Sequence, residues 1–237
     1  ALTMLLDRQT LLEKLYRGLA QIVTGPFFVE EPEYNEEIQP WPFDPEGAKR
    51  LLDEAGWIDS DGDGVRDKDG RPFQFELLFT VNWPPHERVA TLFQEELARA
   101  GIQMAIRTLD WASLLPNVHE QKFDAVMMGW GQVPYPDPYQ VWHSSQHVEH
   151  GSNHVGFKNE EADRIMEQAR LEFDRQKRAQ LYHRLHEIIH EEQPYTFLFC
   201  RKALLAVDKR FHNIRMYPYG PDPREWWVPK HLQRYTP

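Results

Sequence analysis

Residues 73–110, FQFELLFTVNWPPHERVATLFQEELARAGIQMAIRTLD, decide the fold class. Phe73, Phe75, Leu77, Phe79 and Val81 recur at every second position among mostly polar neighbours, which is the period of a half-buried strand. The period then changes: Val89, Leu92, Phe93, Leu97 and Ala100 fall at helical spacing and stop at Gly101, and IQMAIRTLD follows as a second strand. A strand, a helix and a strand in that order predict a parallel pair joined by a crossover helix.

Downstream, a shorter helical piece interrupted by Pro116 leads to FDAVMMGW, whose near-continuous apolar character predicts a strand buried on both faces. Two helices follow, with apolar faces Ala162, Ile165, Met166, Ala169 and then Ala179, Tyr182, Leu185, Ile189; they stop at Pro194, and YTFLFC reads as a final strand. Upstream, Asp44 suits an N-cap, Pro45 the first helical position, Ala48, Leu51, Leu52 and Ala55 one apolar face, and Gly56 the C-terminal cap. Residues 25–43, rich in proline and glutamate, predict a long surface connection. ALTMLLDRQTLLEKLYRG reads as an apolar helix with no capping residue before it, so the natural chain is expected to extend upstream. The expected class is α/β, a mostly parallel sheet flanked by helices.

Composition narrows the function. A hydrophobic content of 41% over 237 residues is enough for a sizeable core. With 37 acidic against 27 basic side chains and a formal charge of -10, the chain lacks the basic face that nucleic acid demands. No run approaches a membrane span or reads as a signal peptide. Cys200 stands alone, so no disulfide framework is available.

Ligands of open α/β sheets sit outside the carboxyl ends of the strands. The stretch leaving the third strand is GWGQVPYPDPYQVW, residues 129–142, in which prolines 134, 136 and 138 make an irregular segment and the aromatic rings combine apolar faces with polar handles. Trp130, Gly131, Tyr135, Asp137, Tyr139 and Trp142 are therefore candidates for a ligand-facing rim, with Asn82 and Trp83 after the first strand as a second set. Rings that merely complete a core are the competing explanation.

Two motifs suggest metals. DSDGDGVRDKDG places Asp59, Asp61, Asp63 and Asp67 at positions one, three, five and nine of a calcium-type loop, but Gly70 stands where a bidentate Glu is needed. A structural calcium and no metal at all stay equally open, and a calcium-dependent interaction module is one alternative function. HEIIH puts His186 and His190 on one helical face with Glu187 between them, the pattern of a zinc metallopeptidase, yet no convincing third ligand follows. His143, His147, His150 and His154 lie in a loop whose lack of periodicity gives them no reason to converge. No nucleophile elbow, phosphate-cradling glycine loop or His-paired cysteine occurs.

Taken in order, ALTMLLDRQTLLEKLYRG, FDPEGAKRLLDEAGW with DSDGDGVRDKDG, LARAGIQMAIRTLDW, FDAVMMGWG, PDPYQVWHSS and HRLHEIIHEEQPYTFLF resemble bacterial extracellular solute-binding proteins of family 5, the dipeptide- and oligopeptide-binding proteins of ABC importers. The resemblance covers roughly the whole chain. It implies a periplasmic binding protein-like lobe of type II, with residues 1–200 as the second of two lobes and 201–237 as the return toward the first. It further implies capture of a peptide or other small solute, delivery to a membrane permease, a monomer, a periplasmic or extracytoplasmic location, no required cofactor and no enzymatic activity. Such proteins commonly carry an Asp before the Tyr-Pro of this loop, where it neutralises a peptide amine. Here Pro134 occupies that place, so Asp137 or the other lobe supplies the counter-charge, or the ligand is not a simple peptide.

Overall fold

The computed structural model describes residues 1–131, 136–217 and 220–234. In chain order the elements are α1 (Arg8–Leu11), β1 (Ala20–Ile22), α2 (Pro45–Glu54), β2 (Asp67–Lys68), β3 (Arg71–Pro72), β4 (Gln74–Thr80), α3 (Pro84–Arg99), β5 (Gln103–Leu109), α4 (Trp111–His119), β6 (Ala125–Val126), α5 (Tyr139–Trp142), α6 (Glu160–Leu171), α7 (Arg175–Glu192) and β7 (Phe199–Arg201). The chain divides into two compact units, Ala1–Arg201 and Lys202–Pro237. The second unit carries two short 3-10 turns, Pro223–Glu225 and Lys230–Leu232, and a bridge between His212 and Trp227, whose rings stack at 4.6 Å.

The strand, helix, strand unit forms as its periodicity requires. β4 pairs in parallel with β5 from Gln74↔Gln103 to Thr80↔Leu109, and with β6 through Leu77↔Ala125 and Leu78↔Val126, giving the order β5-β4-β6. The burial pattern differs from the expected one. β4 is the central strand and is covered on both sides: Leu77 and Phe79 join one core with Val89, Ala90 and Leu97 of α3 and Ala48 and Leu52 of α2, while Leu78 packs with Leu114 and Val118 of α4. Successive side chains point to opposite faces, so this division places α2 and α3 on one face and α4 on the other. FDAVMMGW supplies only the two paired residues of an edge strand; its apolar character comes from packing of Met127 and its neighbours around β4.

The caps behave as their chemistry dictates. The Asp44 carboxylate accepts the Gly47 N–H at 2.9 Å, Pro45 opens α2, and Gly56 sits at φ +83° just past it. The face of α2 is narrower than its four apolar residues suggest: Ala48 and Leu52 are buried, Leu51 and Ala55 exposed. Asp110 caps α4 by accepting the Ser113 N–H, and Asn159 and Asp174 cap α6 and α7 in the same way.

Two further expectations are corrected. The opening segment is not one helix: a 3-10 turn at Leu2–Leu5 ends where Leu6 turns extended, Asp7 caps the single turn of α1, and a π-helical turn runs to Tyr16 before Arg17 enters the left-handed region. Burying Leu5, Leu6 and Leu11 in the same core bends the backbone there more than a straight helix allows. YTFLFC adds nothing to the main sheet; its paired part, β7, forms an antiparallel ladder with β1, Ala20↔Arg201 to Ile22↔Phe199.

α6 and α7 pack together over a second core of Ile165, Met166, Tyr182, Leu185, Ile188 and Ile189, joined by Phe27, Trp142 and Phe197. His186 lies within it, fully buried. Its Nδ1 accepts the Asn35 N–H at 3.2 Å, so Nε2 holds the proton and donates to Thr24 Oγ1 at 2.9 Å. At position 25 only glycine fits, because a Cβ would lie 2.1 Å from the ring. Both nitrogens being committed, His186 has no lone pair for zinc. His190 donates from Nδ1 to the Thr24 carbonyl at 3.1 Å and stacks on Trp41, and Glu187 is held by Asn35 and Arg184. The metallopeptidase reading is therefore overturned: HEIIH pins α7 to the 24–41 connection.

Burial, with the neighbouring His190 second, pushes the His186 pKa down to about 4. The unfolded chain binds this proton more tightly, so the stabilisation is complete above about pH 6.5 and is lost as pH falls toward 4, on the order of 3 kcal/mol for this side chain. Chemical denaturation across that interval should show falling stability in the wild type and a shallower slope in His186→Gln. Equal slopes would show that His186 does not carry the effect.

Candidate functional site

Because β5, β4 and β6 run parallel, their carboxyl ends, Leu109, Thr80 and Val126, lie along one edge of the sheet. Each leads within a few residues to an exposed tryptophan. Trp83 is 40%, Trp111 54% and Trp130 48% exposed. Asn82 holds the left-handed conformation, φ +61°, that turns the chain from β4 into α3, and Trp83 stands at the N-cap. The Arg201 guanidinium lies 4.8 Å from the Trp83 ring centre. Burial, and then the Arg201 charge, hold the nearby His86 imidazole below its ordinary range.

Trp111 was not among the expected residues. Its signal was its place: it opens α4 two residues after β5 ends, where the strand-end rule applies to it as it does to Trp83 and Trp130.

Trp130 lies parallel to His154 at 6.2 Å, and His154 in turn stacks against His119 at 5.9 Å. Burial and the His119 charge lower the His154 pKa. Gly131 is exposed with open space beside it. Tyr135 and Pro134 lie outside the described residues.

At the far end of the same loop, the Asp137 carboxylate accepts two hydrogen bonds from Arg170, Nη2 at 2.6 Å and Nε at 3.0 Å. The Arg170 guanidinium lies 3.7 Å from the Tyr139 ring centre, and Tyr139 stacks on His143 at 4.0 Å. Trp142 departs from the expected rim. It is 2% exposed, wedged against Tyr195, Phe157 and Phe197, and belongs to the second core.

The histidines of this region do not form a metal set. His143 Nδ1 bonds Ser145, His147 bonds the Asn153 carbonyl, and His150 is exposed. Among the described residues, Asp59, Asp61 and Asp63 are the group whose carboxylate oxygens converge, within 4.8 Å of one another. Each also closes a local turn, Asp59 accepting from Gly62 and Gly64, Asp61 from Asp63, and Asp63 from Val65. Asp67 stands apart, its carboxylate taken by the Ser60 hydroxyl and N–H.

A concavity of about 550 Å³ lies elsewhere, lined by Glu30, Glu31, Pro32, Tyr34, Asn35 and His183 among others. It is open and acidic, and no strand of the parallel sheet ends in it. The strand ends instead present a wall of three half-exposed indoles, whose faces suit stacking against an organic molecule.

Comparison with known proteins gives the family. Residues 1–153 match the model of the bacterial extracellular solute-binding proteins, family 5, middle region. The oligopeptide-binding protein AppA of Bacillus subtilis is 33% identical over 240 residues, covering 97% of this chain and 43% of that protein. The heme-binding protein A of Haemophilus influenzae is 26% identical over 94% of this chain and 39% of its own length. The chain thus spans about two fifths of these relatives. The structure of AppA in complex with a nonapeptide superposes with a TM-score of 0.84 at 30% identity, over 97% of this chain and 46% of that one. The type II periplasmic binding protein architecture and the α/β class follow from this likeness. The chain belongs to the bacterial extracellular solute-binding proteins of family 5.

Proposed function

We propose that this chain is the second lobe of the substrate-binding component of an ABC importer, a protein that captures a peptide or other small solute between two lobes and delivers it to a membrane permease. The observation that carries the reading is the row of exposed tryptophans, Trp83, Trp111 and Trp130, at the carboxyl edge of one parallel sheet. Large apolar rings left in water at such an edge mark a surface that another surface covers. Residues 1–200 form the lobe and 201–237 return toward the first lobe. Asn82, Trp83, Trp111, Trp130 and Gly131 face the ligand, with Tyr135, Asp137 and Tyr139 on the same loop. The two lobes close by a hinge, outside the cytoplasmic membrane, as a monomer and without catalysis.

Family membership supports a binding role, and the nonapeptide held by AppA supports a peptide as the first ligand to test. Titration calorimetry of the full-length protein with a nonapeptide should show binding that Trp130→Ala weakens about tenfold or more, about 1.4 kcal/mol. The lobe alone should bind far more weakly, since half the enclosing surface is absent. Unchanged affinity in Trp130→Ala would remove that ring from the site, and no binding by the full-length protein would reject a peptide ligand.

No cofactor is required in this reading. A calcium ion, where it binds, takes oxygens from Asp59, Asp61 and Asp63 and braces the turn between α2 and β2. Calcium should then raise the Tm of the wild type and not of Asp61→Ala. The same Tm with and without calcium would reduce the segment to a turn held by its own hydrogen bonds.

A further inference from the structure

We propose that Arg170 is a specificity-determining residue: by pairing with Asp137 it cancels the only carboxylate of the ligand-side loop, so that this wall takes its ligand by stacking and shape rather than through a free ammonium group. The inference rests on the reading of the chain as a solute-binding lobe, and it concerns which solutes that lobe favours.

Between Met127 and His143, Asp137 is the only acidic residue. Its Oδ2 receives Arg170 Nη2 at 2.6 Å and Nε at 3.0 Å, and its Oδ1 receives the Tyr139 N–H at 3.2 Å and shares the Nε donor. Little accepting capacity is left for a ligand. Arg170 is not a loose surface arginine. Its guanidinium lies on the Tyr139 ring at 3.7 Å, and Tyr139 is backed by His143, whose Nδ1 is bonded to Ser145. The bond to Asp137 raises the Arg170 pKa further, so the guanidinium keeps its charge.

Both side chains are nearly half exposed, 44% and 49%, so the pair contributes little to stability. Its main consequence is electrostatic. A carboxylate and a guanidinium in contact present a dipole, not a net charge, and a dipole's field falls off faster than that of a lone anion. A peptide ammonium leaving water needs a counter-charge, and this loop, having spent its anion on Arg170, provides none.

The test uses the full-length protein and two probes, a nonapeptide with a free amine and its N-acetylated twin, measured by calorimetry. In the wild type and in Arg170→Lys, which keeps the charge, the two Kd values should agree within about threefold. Arg170→Gln should uncover Asp137 and favour the free amine by about tenfold or more, and adding Asp137→Asn should restore parity. A wild-type preference of tenfold or more for the free amine would overturn the proposal, as would an unchanged ratio in a folded Arg170→Gln. Failure of the wild type to bind either twin would reject the peptide-binding reading itself, and the proposal with it.

Discussion

The parallel register of β4 with β5 and β6 is the constraint on which the rest of this molecule depends. Parallel neighbours cannot be joined by a hairpin, so α3 and α4 are obliged to cross over the sheet, and they cover opposite faces of β4 through Val89, Ala90 and Leu97 on one side and Leu114 and Val118 on the other. The same register sends every strand out at one edge. Trp83, Trp111 and Trp130 stand at one edge for that reason, although the first and the last are 47 positions apart in the chain. An antiparallel pairing would scatter them between two edges.

The second core holds the loop that follows. Trp142 anchors its end among Phe157, Tyr195 and Phe197, and the buried Asn153 fixes the next segment by donating to the His143 and Phe157 carbonyls and accepting the Phe157 N–H. His186 does the same for the 24–35 connection. These polar groups are buried with their hydrogen bonds satisfied, which fixes the loops more narrowly than apolar packing alone would. Trp142 and the segment to Phe157 are thereby held on a rigid frame by the core itself.

Much of this was legible in sequence because it is local. The period change between Phe79 and Val89, the Asp44-Pro45 start of α2 and the strand-end position of Trp130 all follow from residues a few places apart. What was not legible depends on neighbours distant in the chain. Alternation in β4 suggested one wet face, but α4 covers that face, and nothing in residues 73–81 records it. Trp142 looked like its rim neighbours until its packing against Phe157, Tyr195 and Phe197 was visible, and HEIIH, already short of a third ligand in sequence, loses its zinc pattern only because Thr24 and Asn35 occupy both nitrogens of His186. The Asp137–Arg170 pair spans 33 residues and leaves no pattern in either segment.

The central claim, that the sheet's carboxyl edge is one wall of a closing cleft, is tested most directly by oxidative footprinting of tryptophans in the full-length protein with and without a bound nonapeptide, read by mass spectrometry. Trp83, Trp111 and Trp130 should lose reactivity together on binding, while Trp41, whose indole bonds the His190 carbonyl, should keep its own. Binding that leaves all three as reactive as before would contradict the account.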